Sequence, residues 1–301
     1  MKKLLSACSL IILFVAALTV TAKTKKARNP LSGEIEYPSK GLINFKEGTF
    51  EVWMSLMYKP GTDLELPSDA GTGITTFLRT VDIKNPLGNK KKDIEEPYIY
   101  FGSNQVRAGE SETLFVHFSF LERKNRITGQ LVDDLHVRIM KQLHWMKKGE
   151  WHHLAITWKD TGGGKYDCAL FADGKEVARE KFTLKENVLQ NDKTNTLLFG
   201  SLVRCYASIN EIKISNTALS PKEIKSDAKR SMKKDKTTTL LLNSSSWSKL
   251  KKVKASIAEG NSYDFYKRPS SVYKNGQILG AYSLIKGKYG KAVQLVEDLD
   301  K

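Results

Sequence analysis

Three segments alternate apolar side chains with ones suited to gripping a polyhydroxylated ring. In 97–102, Ile99 and Phe101 fall on one side and Tyr98 and Tyr100 on the other. In 113–120, Val116 and Phe118 separate from His117, and in 134–140, Val137 and Ile139 separate from His136 and Arg138. A strand sends successive side chains to opposite faces, so a shared core on the apolar sides would leave Tyr98, Tyr100, His117, His136 and Arg138 on one surface. Sugars fit that chemistry, because their C–H faces stack on aromatic rings while hydroxyls bond to imidazole and guanidinium.

Catalytic constellations are weaker. Retaining glycoside hydrolysis needs two carboxylates about 5–5.5 Å apart, which an E-x-D-x-E run on a strand supplies. No such run occurs: Glu34-Ile35-Glu36 is read as carrying its acids on adjacent faces, and Asp63-Leu64-Glu65 and Glu297-Asp298 fall in expected turns. No catalytic residue is assigned, and the chain is expected not to be an enzyme. His152-His153 cannot converge on one metal ion from successive strand positions. Gly162-Gly163-Gly164-Lys165 lacks the spacing of a phosphate loop and its following Ser or Thr, so it reads as a connector. Trp53 and Trp158 are expected in the core, with Trp145, in a loop beside Lys147 and Lys148, as the surface candidate.

The elements that must position these groups are short and mostly extended. Expected strands are 49–57, 74–81, 97–102, 113–120, 134–140, 151–158, 166–172, 175–182, 196–200 and 207–214, separated by Gly-rich or charged breaks. Leu154, Ile156 and Trp158 alternate with His153, Ala155 and Thr157, the period of a half-buried strand. Asp173-Gly174 supplies a two-residue turn joining 166–171 to 175–182 as a hairpin. Ser220-Pro221-Lys222-Glu223 spells a capping box with Pro at the first helical position, predicting a short helix to about Lys229. The sum is an all-β, two-sheet antiparallel sandwich, with edge closure favouring a jelly roll.

The ordered elements G-E-W-H-H-L-A-I-T-W from Gly149, L-F-A-D-G-K-E-V-A from Leu170 and I-N-E-I-K-I-S-N-T-A-L-S-P-K-E-I from Ile209 resemble the laminin-G-like, concanavalin A-like jelly-roll family of bacterial secreted proteins. Gly48-Thr49-Phe50-Glu51-Val52-Trp53 is similar to that family's early strand, extending the resemblance over 33–230. The resemblance implies a non-catalytic recognition module for carbohydrate or a cell-surface partner, and it alone raises bound calcium as a cofactor. The family usually has Asp where this chain has Asn210, so a role of that Asp in ordering a loop or holding an ion does not carry over unchanged.

Lys2 and Lys3, an apolar run from Leu10 to Leu18 and small residues ending at Ala22 read as a signal peptide over 1–22, too short to span a bilayer. The expected location is therefore secreted, periplasmic or cell-surface, without a retained transmembrane segment. A basic lead-in follows over 23–32. Removing the leader lowers the formal charge from +16 to +14. Lysine dominates the cations and is scattered, no nucleic-acid motif accompanies them, and a solvated surface is expected rather than nucleic-acid binding. Cys168 and Cys205 are candidates for one disulfide. Residues 231–301 form a basic linker plus a partial jelly-roll-like segment, with Thr239-Leu240-Leu241-Leu242 and 287–295 as its strands, expected to dock on the main body. The alternatives are a structural or adhesion module contacting a cell-envelope protein, or a relative of the glycan hydrolases.

Overall fold

The computed structural model describes residues 33–57, 74–81, 97–106, 113–122, 137–142, 145–183, 196–200, 205, 207–253, 256–257, 266–267 and 274–295. The expected leader, the lead-in and His136 lie outside them. In chain order the elements are β1 (Gly33–Pro38), β2 (Glu47–Leu56), β3 (Ile74–Val81), β4 (Pro97–Val106), β5 (Thr113–Glu122), β6 (Val137–Gln142), β7 (Trp151–Gly162), β8 (Lys165–Ala172), β9 (Lys175–Thr183), β10 (Thr196–Gly200) and β11 (Ala207–Ser215). Helix α1 (Pro221–Asp227) follows, then β12 (Thr238–Leu242), a 3-10 turn at Trp247–Lys249, β13 (Lys251–Val253), β14 (Ser256–Ile257), β15 (Tyr266–Lys267), β16 (Gln277–Gly280), β17 (Ser283–Gly287) and β18 (Gly290–Gln294).

Two sheets form a sandwich. The first runs β13-β16-β1-β10-β3-β4-β5-β6 and the second β17-β18-β11-β2-β7-β8-β9, with β12 also paired to β11. Neighbours are antiparallel except β13 with β16. Alternation decides what fills the space between the sheets. Leu154, Ile156 and Trp158 of β7, Phe50 and Val52 of β2, and Ile35, Leu197 and Phe199 of the first sheet share one buried cluster. The Phe50 ring meets both Phe101, edge-on at 5.7 Å, and Phe199, stacked at 6.1 Å, so one side chain ties the second sheet to β4 and β10. Each such buried apolar side chain contributes about 1.5–3 kcal/mol.

Trp158 is fixed by a hydrogen bond from its Nε1 to the Asn44 carbonyl, 2.8 Å. Its ring lies against Gly48 of β2 so closely that a Cβ there would sit 2.3 Å from Cζ2. Gly48→Ala is therefore expected to cost about 1–3 kcal/mol by overpacking. Urea unfolding measures this, and an unchanged midpoint would show that the ring can give way.

The hairpin turn forms as its sequence requires: Asp173 has φ 48° and Gly174 φ 75°, the left-handed pair of a type I′ turn. The capping box is present, with the Glu223 amide donating to the Ser220 Oγ and the Ser220 amide to Glu223. Helix α1 packs Ile224 on Phe171, Ala155 and Ala169, a small cluster separate from the main core. These residues alternate with the core-facing ones of β7 and β8, so α1 covers the outer face of the second sheet.

Beyond residue 230 the chain adds strands to both sheets. β18 and β12 pair in succession along the edge of β11 away from β2, and β16 pairs with β1. Strand β1, which the sequence reading leaves out, sits between β10 and β16, partners found only far along the chain.

Candidate functional site

The register of the first sheet assembles a face. Tyr100 of β4 pairs with Ser119 of β5, which pairs with Arg138 of β6. One row over, Gly102, His117 and Met140 pair, and Tyr98 pairs with Leu121 on the other side. Antiparallel partners share a face, so Tyr98, Tyr100, His117 and Arg138 stand on the same one. The intervening row, Phe101 with Phe118 and Ile139, belongs to the opposite side, where Phe101 is fully buried in the core. Four of the five candidate binding residues are thus placed together by backbone register, and the fifth, His136, is outside the described residues.

The same row continues beyond the candidates. Tyr100 pairs with Arg79 of β3, Arg79 with Leu198 of β10, Leu198 with Glu36 of β1 and Glu36 with Gln277 of β16. Arg79 escaped the sequence reading although β3 was expected over the residues it occupies. A bulge between Thr76 and Leu78 changes which residues face outward, and no simple alternation shows it.

Glu34 and Glu36 require a correction. They are two residues apart on β1 and so share a face, opposite Ile35 and Tyr37, rather than lying on adjacent ones. Both are fully buried, and the Glu36 carboxylate accepts a hydrogen bond from the Gln277 Nε2.

The second sheet carries a different polar cluster on its outer face. The Lys213 Nζ lies 2.7 Å from Asp227, 3.1 Å from Asp235 and 3.6 Å from Glu51. Burial works against its charge, but Glu51, Asp227 and Asp235 outweigh that and push its pKa up to about 12. His153 Nε2 is 3.3 Å from Glu51, and both residues are fully buried. Glu211 accepts from the Ser231 hydroxyl and the Met232 amide, yet burial raises its carboxyl above the usual range. These contacts fasten α1 and the segment behind it to β2, β7 and β11.

The W-H-H strand and D-G turn belong to this fastening. His152 Nδ1 lies 2.9 Å from Asp173 Oδ2, and the His153 amide donates to Asp173 Oδ1. Burial pushes the Asp173 carboxyl up, but these two hydrogen bonds outweigh it and hold it below the usual aspartate range. Among the described residues, no group of three or more His, Cys, Asp and Glu side chains is arranged to hold a metal ion. Asn210 does not fit a cation either, since its Nδ2 donates to the carbonyls of Lys291 and Tyr289 and its Oδ1 accepts from the Tyr289 amide.

Four further side chains differ from or refine the sequence reading. Trp53 is buried, but outside the sandwich core: it lies under the β17–β18 turn, with the Lys288 Nζ 3.7 Å from its ring centre. Trp145 is 41% exposed and meets His152 edge-on. Cys168 and Cys205 are buried and not joined to each other, so the candidate disulfide is not formed. Cys168 is on β8 and Cys205 leads into β11, three strands away in the sheet order. That spacing is about 14 Å, well beyond the reach of a disulfide, and burial pushes the Cys168 thiol up.

Residues 106–225 match the family model described as the Concanavalin A-like lectin/glucanases superfamily, Laminin_G_3. No curated protein matches the chain. Among solved structures, the CBM40 module of the Ruminococcus gnavus IT-sialidase bound to α2,3-sialyllactose is 12% identical with a TM-score of 0.39, over 68% of this chain and 97% of that one. A putative carbohydrate-binding protein from Bacteroides ovatus is 14% identical with a TM-score of 0.41, over 70% of this chain and 50% of that one. The NanB sialidase of Streptococcus pneumoniae is 13% identical with a TM-score of 0.40, over 66% of this chain and 28% of that one.

Proposed function

We propose that this chain, whose residues 106–225 form part of a jelly roll of the concanavalin A-like lectin/glucanase superfamily, is an exported module that binds carbohydrate without hydrolysing it. The observation that carries the reading is the shared face of Tyr98, Tyr100, His117 and Arg138, with Tyr100, Ser119 and Arg138 in one register row. Two tyrosines offer rings for stacking on sugar C–H faces, and His117 and Arg138 offer donors for hydroxyl or carboxylate groups. Glu34 and Glu36 are acids whose register places them on that face of the sheet. Their complete burial and the bond from Gln277 to Glu36 favour a structural role over proton transfer to a substrate.

A glycan array probed with the purified chain at moderate salt tests the proposal, followed by calorimetry with each glycan retained. Tyr100→Ala combined with Arg138→Ala is expected to weaken binding at least about tenfold, or ~1.4 kcal/mol, with an unchanged thermal melt. Failure to bind any neutral or anionic glycan would rule it out. Release of sugar from a bound glycan, abolished by Glu34→Gln or Glu36→Gln, would instead make the chain a hydrolase.

A further inference from the structure

Every carboxylate between residues 221 and 236 is engaged within the molecule, whereas the cations form no ion pair with any described residue. Glu223 is held in the capping box of α1, while Asp227 and Asp235 both bind Lys213. Lys222, Lys225, Lys229 and Arg230, followed by Lys233, Lys234 and Lys236, are all exposed. No ion pair involves any of the seven among the described residues. Lys175, also exposed, adjoins them, because the turn at Gly174 packs directly on Lys225 and Ala228.

We propose that α1 and the segment through Lys236 form a docking strip for a linear acidic polysaccharide, sulfated or uronate-bearing. Seven cations against three carboxylates leave the strip net positive, and concentrated like charge attracts a polyanion from a distance. The apolar side chains of the strip, Ile224 and Met232, point into the protein, so it offers a lipid bilayer nothing to insert. It contains no aromatic residue on which a nucleobase could stack, and six of its seven cations are lysines, point charges rather than bidentate forks. The strip lies on the outer face of the second sheet, on the opposite side of the sandwich from Tyr98 and Tyr100, and is independent of that site.

Binding of the full chain to heparin and to polygalacturonate, measured from about 50 to 300 mM NaCl, tests the strip, because exposed charge pairs are screened over this range. The wild type should bind at least one of them, with affinity falling steeply as salt rises. Changing Lys222, Lys225, Lys229 and Lys233 together to Gln should weaken binding at least about tenfold. The same loss of charge at exposed Lys159, Lys165, Lys181 and Lys286 should leave it within about threefold. The proposal is overturned if both sets of substitutions weaken binding equally, if the wild type binds neither polymer, or if phosphatidylserine vesicles or duplex DNA are preferred to both.

Discussion

Lys213→Met is expected to destabilise the chain by about 3–5 kcal/mol, the cost of leaving buried carboxylates without their counter-charge. Methionine can fill the volume of the lysine stem, so the loss isolates the charge. Glu51 is fully buried and Asp227 nearly so, and Lys213 is the cation that holds both. The pH dependence follows from the shifts. Lys213 is raised from 10.5 to about 12, so its contribution is complete below the unfolded value and lost only as pH rises through the folded one. Asp235 is held below its ordinary 3.8: burial opposes its charge, but hydrogen bonds from Thr237 and Lys213 prevail. Its contribution is present above that value and fades as pH falls. Urea unfolding at neutral pH should therefore show a wide gap between wild type and variant, narrowing on acidification. Equal midpoints at neutral pH would mean that Lys213 does not hold the network.

Asn210→Asp is expected to cost about 2–4 kcal/mol, although it changes one atom and restores the residue common in the family. Asn210 is fully buried, and its Nδ2 lies 3.0 Å from the Lys291 carbonyl and 3.4 Å from that of Tyr289. A carboxylate would keep the bond from the Tyr289 amide and set a negative oxygen against both carbonyls. The space cannot open easily, since a Cβ on Gly287 would already lie 2.5 Å from Nδ2. The penalty should shrink as pH falls toward the ordinary aspartate value of about 3.9, where the acid regains a proton to donate. Hydrogen exchange at Tyr289 and Lys291, with urea unfolding, reads both the local and the global loss. Unchanged exchange at neutral pH would show that this turn does not depend on the amide.

The fold was legible where alternation ran undisturbed. β4, β5 and β7 each carry a stretch in which apolar side chains recur at every second position, and their expected and observed spans overlap closely. The D-G turn and the Ser220 cap were equally plain, because each is local chemistry. β1 was not, because two carboxylates break up its short apolar pattern and the strands that pair with it lie far along the chain. Arg79 was hidden by the bulge in β3, and Trp53 by the inverse problem: it is a large apolar residue on the face away from the core, covered by a hairpin more than 200 residues later. The candidate binding face was legible as a pattern within each strand. Its assembly needed the register, which no single strand contains.

The position of β1 also bears on how the chain reaches this state. Its neighbours are Thr196–Gly200 on one side and Gln277–Gly280 on the other, and the Gly33 amide donates to the Leu295 carbonyl. Both edges of β1 therefore wait on strands that lie far along the chain. Loop closures of that length are slow to form, so the pairing of β1 is expected late in folding, after the strands it joins have found their own neighbours.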